Sequence, residues 1–458
     1  MKVLKFGGTS VSSVETVQNI SSILKNTKEN TIIVCSALSK VTNMLTDAAE
    51  KAAKGETDYI EIANEIEKRH HDFIDQLIEK DKQENLKEII SNHINDLKKI
   101  LDAVHFLGEL TTRGYYSIVS FGEKMSNAII YRYLSNNNGS TGYLDSSQII
   151  ITKTINGKEQ VNRSKTYLNI VEKYNPQYKI TVAPGFISKS ENGYATTLGR
   201  GGSDYTAALY AAALDASLLE IWTDVSGIYT ADPRKVKNSY PLNKISYREA
   251  LELSNFGAKV IYAPTILPIL EKEIPMVIKN TFKPEDPGTY VSKETEHTEN
   301  AIKAFSTMDN IAVITFSGTG LVGTTGIAGR LFTTLSNNNI NIIIITQASS
   351  EQSICIAIES NDAEKATQSI NKEFEYEIKR GTINETKADL QFSVLAMVGE
   401  GMKNAPGLAG KAFSALGKGN VNIHAIAQGS SELNVSIIIK KTDAINALNV
   451  LHDTFTQK

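Results

Sequence analysis

The segment KFGGTS, Lys5–Ser10, follows a short apolar start and constrains the fold more than any other feature of this chain. Met1–Leu4 predicts a short buried strand, and Val14–Leu24 predicts an amphipathic helix that Ser12 or Ser13 caps. Two glycines between strand and helix let backbone N–H groups approach anionic oxygens, and the helix start adds a positive dipole end. A lysine in a core strand is costly to desolvate unless it meets an anion. The pattern therefore favours a phosphate-binding turn over a turn that only packs.

Length, charge and cysteine content exclude several classes of protein. A chain of 458 residues is too long for one core, so two or three domains are expected. The net charge of −3 gives no electrostatic case for binding nucleic acid or an acidic membrane. Cys35 and Cys355 lack the spacing of a disulfide scaffold or a zinc site. No apolar run approaches the roughly 20 residues of a membrane span, and the start leaves no room for a signal peptide, so we expect a cytoplasmic protein.

Strands and helices alternate through the first two thirds of the chain. The predicted strands are Thr31–Ser36, Gln148–Thr154, Lys179–Val182, Ser217–Trp222 and Pro275–Ile278. The predicted helices include Asn43–Lys54, a helical hairpin over residues 59–108, a run from Glu123 through Leu134, and Asp204–Leu214. Strands separated by helices predict a mostly parallel sheet covered on both faces. His70, His71 and His93 lie on the charged hairpin and are predicted to be solvated.

From Ala301 onward the chain consists of two copies of one unit. Five residue pairs recur 81 positions apart: Gly320 and Gly401, Gly326 and Gly407, Phe332 and Phe413, Asn341 and Asn422, Gln347 and Gln428. Such fixed spacing over a strand–loop–helix–strand pattern marks a duplicated domain. The second copy lacks a strand to close its sheet, and we expect residues 301–306 to supply it. The predicted domains are 1–292, 300–385 and 386–458.

The segment TLGRGGSDYT, Thr197–Thr206, concentrates glycine with polar and charged residues at the start of a predicted helix. Gly199, Gly201 and Gly202 permit an open turn that exposes backbone N–H groups. Arg200 offers a planar fork for a carboxylate or phosphate. Asp204 could merely favour the helix dipole, but the combination favours a ligand site.

The segment WTDVSGIYTADPRKV, Trp222–Val236, predicts a strand end followed by a loop. Tyr229 in that loop could flank a nucleobase or simply pack, and Arg234 could reach a polyphosphate. Gly318–Gly323 fits GxGxxG, but no acidic residue lies between Asn310 and Ser350, so the dinucleotide interpretation fails. The chain also contains no Walker-type GxxxxGK[ST] motif.

Seven motifs appear in the order found in aspartate kinases, and the chain resembles that family over essentially its whole length. They are KFGGTS, SALSKVTNML (Ser36–Leu45), FGEKMS (Phe121–Ser126), GFI (Gly185–Ile187), LGRGGSDYTAA, WTDVSGIYTADPR and FGAKVI (Phe256–Ile261). The resemblance implies an α/β chain: an amino-acid kinase (carbamate kinase-like) three-layer αβα domain, followed by tandem ACT domains of ferredoxin-like βαββαβ type.

The resemblance also implies a reaction, the ATP-dependent phosphorylation of the L-aspartate side-chain carboxylate to 4-phospho-L-aspartate with Mg²⁺. This is the first step towards lysine, threonine and methionine. The implied catalytic residues are Lys5, Gly7, Gly8, Asp204 and Lys259. The implied aspartate-binding residues are Ser36, Thr42, Glu123, Arg200, Gly201 and Ser203. The implied ATP-binding residues are Lys5, Gly8, Thr223, Asp224, Tyr229, Arg234 and Lys259, and the metal ligands are left unassigned.

Feedback by an amino acid at an ACT–ACT interface is a further implication. The candidate effector residues are Gln347, Gln428, Gly326, Asn341 and Ile342, although the two glutamines could be plain strand-end turns. The paired QxSSE segments and IKNT, Ile278–Thr281, resemble the kinase half of bifunctional aspartokinase–homoserine dehydrogenases, which threonine inhibits. Threonine is therefore favoured, lysine is a rival, and a homodimer through ACT pairing is expected.

Two alternatives remain open from the sequence. The chain could be another enzyme of the amino-acid kinase fold, acting on acetylglutamate, glutamate or UMP, or an inactive ACT sensor of amino acids. The intact Lys5, Asp204, Arg234 and Lys259 favour an active kinase.

Overall fold

The computed structural model describes residues 1–155, 157–256, 261–293, 301–348 and 352–456. The chain forms two compact units. The first contains Met1–Ile228, Pro241–Ala250 and the described residues of 259–295, and the second contains Tyr229–Tyr240, residues 251–256 and the described residues from 301 onward. No helix within these ranges combines the length and apolar character that crossing a bilayer requires.

The elements up to residue 293 alternate as the sequence predicts. In chain order they are β1 Lys2–Phe6, α1 Val14–Lys25, β2 Thr31–Cys35, α2 Val41–Ala53, α3 Tyr59–Leu77, α4 Gln83–Leu107, α5 Thr112–Asn137, β3 Thr141–Tyr143, α6 Ser146–Ile149, β4 Ile151–Ile155, β5 Lys158–Val161, α7 Arg163–Lys173, β6 Ile180–Pro184, β7 Ile187–Ser190, β8 Ala195–Thr197, α8 Gly202–Ala213, β9 Leu218–Thr223, β10 Lys244–Ser246, α9 Tyr247–Asn255, α10 Ala263–Glu271, β11 Met276–Asn280 and β12 Thr289–Ser292.

The first unit is built on an eight-stranded sheet in the order β10-β12-β11-β9-β1-β2-β6-β3. All its strand pairs are parallel except β11 with β12, which confirms the predicted mostly parallel sheet. The central strands β2 and β6 are buried along their whole length, as expected for parallel strands covered on both faces. Strand β1 occupies the middle of the sheet, where Phe6 lies opposite Cys35 and Trp222.

A second sheet of the first unit, in the order β5-β4-β7-β8, holds the segment that the sequence assigned to Gln148–Thr154. The strand begins later than predicted, at Ile151, because residues 146–149 form a short helix capped by Asp145. The capping interaction is a hydrogen bond that the Ser147 N–H donates to Asp145 Oδ1 at 3.0 Å.

The predicted helical hairpin corresponds to α3 and α4, which turn at residues 78–82. Helix α4 ends at Gly108, which adopts a left-handed conformation (φ +63°) and closes the helix, as glycine commonly does. The prediction that its histidines are solvated is wrong for His70, whose side chain is fully buried. His70 Nδ1 lies 2.7 Å from the Ile66 carbonyl oxygen, and burial lowers the pKa of the imidazole to about 4. The helical period places His70 on the same face as Ile66 and Ile74, which the charged neighbours in sequence conceal.

The second unit contains the repeat. Its elements are β13 Ala304–Met308, β14 Ile311–Ser317, α11 Ile327–Asn337, β15 Ile342–Gln347, β16 Ser353–Glu359, α12 Ala363–Glu373, α13 Glu375–Lys379, β17 Ala388–Asp389, β18 Phe392–Val398, α14 Leu408–Lys418, β19 Ile423–Gln428, β20 Asn434–Lys440 and α15 Ala444–Thr456. They form two four-stranded antiparallel sheets, β15-β16-β14-β17 and β13-β18-β20-β19.

The two sheets of the repeat pack on each other through apolar side chains, among them Val313, Ile344, Val394 and Ile438. The strand β13, which overlaps the segment 301–306, pairs antiparallel with β18. It therefore lies in the sheet of the second repeat although it precedes the first repeat in the chain. Strand β17, which follows the first repeat's helices, pairs with β14 of the first repeat.

Burial of His70 predicts a loss of stability in acid. Its pKa is about 4 in the folded chain against 6.5 for the free group, so the unfolded chain binds the extra proton first as pH falls. Protonation of His70 in the unfolded chain should lower the free energy of unfolding by about 3 kcal/mol between pH 6.5 and pH 4. We expect His70→Leu to reduce the fall in melting temperature over that range, measured by calorimetry. His71→Leu on the same helix serves as the control, and an unchanged fall in His70→Leu would contradict the assignment.

Candidate active site

Four neighbouring parallel strands of the first unit end at one edge of the main sheet and form a cavity there. Their register aligns the ends of β1, β2, β6 and β9, so the following loops begin side by side. In open α/β sheets this carboxyl edge is where ligands bind. The cavity has a volume of about 560 Å³, and its lining includes Lys5, Gly7, Gly8, Ser36, Thr42, Glu123, Gly201, Ser203, Asp204, Thr223 and Asp224.

Lys5 and Asp204 form an ion pair in the wall of this cavity. Lys5 Nζ lies 2.6 Å from Asp204 Oδ1, and the two side chains are only 12% and 13% exposed. Asp204 stands in the first turn of α8, where the helix dipole favours a carboxylate. A Cβ added at Gly7 would come within 3.3 Å of Lys5 Nζ, so a glycine there leaves the ammonium accessible. The pair places a cation beside the Gly7-Gly8 turn, which lines the same cavity.

Close contacts require glycine at Gly201 in the LGRGGSD segment and at Gly185 in the GFI segment. Gly201 caps α8 with a φ of +65°, and a Cβ there would lie 2.2 Å from the Cβ of Tyr262. A Cβ at Gly185 would lie 2.6 Å from the Cβ of Ser203. The first approach brings the start of α8 against the start of α10, and the second brings it against the end of β6. Ser36 and Ser203 are joined by a hydrogen bond of 2.9 Å between their hydroxyl oxygens.

Glu123 presents a buried carboxylate to the same cavity. Its Oε1 accepts a hydrogen bond from the Ala37 N–H at 3.1 Å, and its Oε2 has no hydrogen-bond partner among the described residues. Burial raises the pKa of Glu123 to about 8, although the Ala37 N–H opposes the shift. A buried, half-satisfied carboxyl is costly unless a donor arrives, so Glu123 is suited to a cationic ligand group.

The cavity lining does not include every residue that sequence reasoning assigned to the site. Arg200 is exposed and does not itself line the cavity, although its neighbours Gly199 and Gly201 do. Tyr229 and Arg234 belong to the second unit, where the Arg234 guanidinium donates to both Asp232 carboxylate oxygens at 2.9 and 2.8 Å. Lys259 lies outside the described residues.

Sequence reasoning also missed residues of the cavity wall. They are Thr9, Ala37, Leu38, Ser39, Lys40, Asn43 and Phe186. Most of them stand inside two motifs: SALSKVTNML, from which only Ser36 and Thr42 were chosen, and GFI, from which no site residue was chosen. The residues after β2 could have been predicted from their position in one continuous loop. A loop that crosses the strand ends can bring each of its residues to the cavity.

A second cavity, of about 290 Å³, lies in the first repeat. It is lined by Leu321, Gly323, Thr324, Thr325, Gly326, Ile327, Ala328, Gln347 and Ile354. The structure thus brings together Gly326, at the start of α11, and Gln347, at the end of β15. Asn341 and Ile342 stand at the opposite end of β15 and do not line this cavity, and Gln428 ends β19 of the other repeat.

No group of three or more His, Cys, Asp and Glu side chains within the described part of the chain could hold a metal ion on its own. Two aspartates, Asp204 and Asp224, line the larger cavity together with Glu123. Mg²⁺ is commonly held by one or two carboxylates together with water and phosphate oxygens, and this donor set fits that pattern.

Two family models match the chain. The amino acid kinase family matches residues 1–280, and the ACT domain matches residues 314–374 and 395–455. The bifunctional aspartokinase/homoserine dehydrogenase of Haemophilus influenzae is 35% identical over 99% of this chain and 56% of its own length. The chloroplastic bifunctional aspartokinase/homoserine dehydrogenase 1 of Arabidopsis thaliana is 32% identical over 99% of this chain and 51% of its own length. The chain therefore spans about half the length of these curated relatives.

Solved structures show the same architecture. Escherichia coli aspartokinase III, in complex with aspartate and ADP, superposes with a TM-score of 0.87 at 26% identity over 100% of both chains. Aspartate kinase of Clostridium acetobutylicum superposes with a TM-score of 0.79 at 28% identity, over 99% of this chain and 100% of its own.

The fold and the strand-end cavity, together with these matches, thus define an α/β kinase-type domain followed by a duplicated smaller domain. The chain belongs to the amino acid kinase family, and its kinase domain is followed by tandem ACT domains. The predicted fold class and the resemblance to aspartate kinases are confirmed.

The burial of Glu123 predicts that the stability of the ligand-free chain depends on pH. Its pKa is about 8 in the folded chain against 4.5 for the free group, so the folded chain binds the proton more tightly and stability falls as pH rises from 4.5 towards 8. We expect Glu123→Gln to raise the melting temperature, and to raise it more at pH 8.5 than at pH 5. An equal effect at both pH values would contradict the buried-carboxyl account.

Proposed function

We propose that the chain is an aspartate kinase, which transfers the γ-phosphoryl group of ATP to the side-chain carboxylate of L-aspartate. The observation that carries the proposal is the Lys5–Asp204 pair beside the Gly7-Gly8 turn, at the carboxyl edge of the parallel sheet. The aspartokinase relatives, and the aspartate and ADP held by E. coli aspartokinase III, support the same reaction.

In the proposed reaction a carboxylate oxygen of aspartate attacks the γ-phosphorus. The bond between that phosphorus and the β,γ-bridging oxygen breaks, and ADP leaves with the electron pair. The carboxylate is ionised near pH 7, because its reference pKa is about 4, so no general base is required. Catalysis then consists of positioning and of neutralising the negative charge on the phosphoryl oxygens. Lys5 and the backbone N–H of Gly8 supply this neutralisation from the chain, while the Gly7 N–H donates to the Trp222 carbonyl oxygen at 3.2 Å and helps to hold the turn in place.

Substrate recognition follows from the charges around the cavity. L-aspartate carries one ammonium and two carboxylates. The Oε2 of Glu123, which lacks a partner among the described residues, is suited to the ammonium. The Ser36 and Ser203 hydroxyls are suited to hold the acceptor carboxylate. Arg200 would approach the α-carboxylate only if its exposed side chain turned inward.

Two residues at the end of β9 are suited to hold the nucleotide. Thr223 and Asp224 line the cavity at the end of β9, and the Thr223 hydroxyl donates to Asp224 at 3.2 Å. Asp224, with an exposed carboxylate, would hold Mg²⁺ together with the phosphates. When bound, that ion would supply positive charge to the phosphate chain. Tyr229, Arg234 and Lys259 are retained as nucleotide-binding residues on the sequence resemblance alone.

The tandem ACT domains support feedback regulation by an amino acid. In the first repeat the cavity combines the N-terminus of α11, two threonine hydroxyls and the Gln347 amide, which suits an amino-acid carboxylate and ammonium. Among the residues that the structure describes, those that line the cavity include no aspartate or glutamate to meet a second ammonium. We therefore favour threonine over lysine, although E. coli aspartokinase III has been solved with lysine.

Exposed apolar side chains on the edge strands of the repeat support a homodimer. Ile345 on β15 is 49% exposed, and Ile426, its counterpart 81 positions later on β19, is 40% exposed. An unpaired strand edge bearing isoleucine is suited to a second copy of the chain. A cytoplasmic location completes the proposal, and the two free cysteines fit a reducing compartment.

Removing the Lys5 ammonium should abolish transfer while the fold persists. We expect Lys5→Ala to lower kcat for L-aspartate at least about a hundredfold, the usual cost of losing a charge-stabilising donor. A coupled assay of ADP release, run with L-aspartate and with L-glutamate, measures this and the substrate preference together.

Lys2→Ala is the matched control, because Lys2 lies on the same strand and its ammonium contacts Glu220 at 3.4 Å. Near-normal turnover in Lys5→Ala would refute the role of the lysine. Preference for glutamate would indicate another kinase of this fold, and absence of turnover in the unaltered chain would favour the amino-acid sensor.

Truncating Gln347 should weaken feedback without changing the uninhibited rate. The amide lines the effector cavity and would bond a small polar ligand, so its loss should raise the half-inhibitory concentration of threonine about tenfold. The kinase assay is titrated with threonine and, separately, with lysine. Gln428→Ala, the corresponding change in the second repeat, serves for comparison. If neither threonine nor lysine inhibits Gln347→Ala less than the unaltered chain, the effector does not bind in this cavity.

A further inference from the structure

Lys40 adopts a backbone conformation that side-chain-bearing residues seldom take. It caps α2 with a φ of +69° and a ψ of −13°, in the left-handed region, and its side chain makes no capping hydrogen bond. Glycine, asparagine or aspartate would be less costly in that conformation. A strained position of this kind persists where surrounding structure enforces it, and such positions cluster at ligand sites.

The charge of Lys40 is also unfavourable for the helix that it caps. A helix N-terminus carries a partial positive charge, so an ammonium there is repelled and a polar uncharged cap is preferred. Helix α2 is 13 residues long, and its first turn contains no acidic residue that could offset the lysine. Neither the backbone nor the helix dipole therefore explains a lysine at this position, whereas an anion bound nearby would.

Lys40 lines the same cavity as Lys5 and the Gly7-Gly8 turn. The loop that carries it runs close to that turn, because a Cβ added at Gly8 would lie 3.2 Å from the Ala37 carbonyl oxygen and 3.7 Å from the Cα of Ser39. The side chain thus belongs to the wall that faces the proposed phosphoryl group.

A count of the charges in this wall shows what Lys40 can add. The described lining contains two lysines, Lys5 and Lys40, and three carboxylates, Glu123, Asp204 and Asp224. Lys5 is already paired with Asp204 at 2.6 Å. Within the described ranges, the Lys40 ammonium makes no hydrogen bond or ion pair, and its side chain is exposed. Lys40 is therefore the lining cation whose charge no described carboxylate neutralises.

We propose that Lys40 binds the phosphate chain of the nucleotide. Its ammonium supplies the charge that the Lys5–Asp204 pair does not, and the strained cap holds it at the cavity wall. This inference rests on the proposed kinase function and deepens it by adding a nucleotide-binding residue. An ammonium–phosphate contact is a charge-assisted hydrogen bond, which explains why a lysine is retained despite the backbone and dipole costs.

The test compares three substitutions at one position. Lys40→Met removes the charge and keeps the length, Lys40→Arg keeps the charge, and Lys40→Gly removes the side chain and relieves the left-handed strain. Lys54→Met, at the opposite end of α2, is the matched control. The dissociation constant of ADP is measured by calorimetry on the full chain, and the KM values for ATP and aspartate are measured by the coupled assay.

We expect Lys40→Met and Lys40→Gly to weaken ADP binding about tenfold and to raise the KM for ATP similarly, with the KM for aspartate unchanged. Lys40→Arg should recover most of the affinity. Lys40→Gly should not lower the melting temperature, so its loss of affinity cannot be ascribed to unfolding. The affinity difference between the unaltered chain and Lys40→Met should shrink as salt is raised.

Two results would overturn the inference. One is unchanged ADP affinity in Lys40→Met, and the other is a change confined to the KM for aspartate, which would assign the ammonium to the acceptor. Because ADP binding requires no turnover, the two proposals can fail separately. A chain that binds ADP through Lys40 without phosphorylating aspartate refutes only the proposed function. Normal aspartate phosphorylation by Lys40→Met with unaltered ADP affinity refutes only the role of Lys40.

Discussion

The pairing of Lys5 with Asp204 is the interaction on which the arrangement of the first unit depends. An ammonium in a central strand of a covered sheet is destabilising by several kcal/mol unless a counter-charge accompanies it. Asp204 meets that need at 2.6 Å, and its place in the first turn of α8 ties the helix start to the end of β1. The pair is nearly buried on the protein side yet opens on the cavity, because the neighbouring Gly7 has no side chain to cover it. One ion pair therefore fixes a helix against a strand and leaves a cation available to a ligand.

The parallel register converts that local pairing into a site built from distant parts of the chain. Since β1, β2, β6 and β9 end at one edge, residues as far apart as Lys5 and Asp224 line one cavity. Close approach of these loops requires glycine, as the contacts at Gly185 and Gly201 show. It also requires unusual backbone at positions that are not glycine. Lys40 and Phe186, with φ values of +69° and +66°, both line the cavity. Strain and ligand access thus coincide at the same edge of the sheet.

The sequence predicted the parts of this structure that depend on local pattern. Strand–glycine–helix turns, the helical hairpin and the 81-residue repeat each leave a periodic signal, and β1, α3, α4 and the two antiparallel sheets follow it. Features that depend on tertiary contacts were not predictable in the same way. The burial of His70 among charged neighbours depends on which face of α3 meets the hairpin core. The role proposed for Lys40 depends on its left-handed backbone conformation, which no residue pattern predicts. The position of Arg200 outside the cavity lining reflects side-chain orientation, which spacing does not determine.

The segment Tyr229–Tyr240 shows why motif order alone does not divide a chain into units. It follows β9 after residues 224–228 and carries Tyr229 and Arg234, yet its packing is with the ACT repeats. Thr230 is joined to His452 of α15 by a 2.9 Å hydrogen bond, its carbonyl oxygen accepts from the Phe305 N–H, and Lys235 contacts Asp309 at 2.6 Å. Ala231 and Val236 add apolar contacts to the core of the second repeat. A rearrangement of that repeat must therefore either break these contacts or carry the segment with it, because its bonds to α15 and β13 leave no independent freedom.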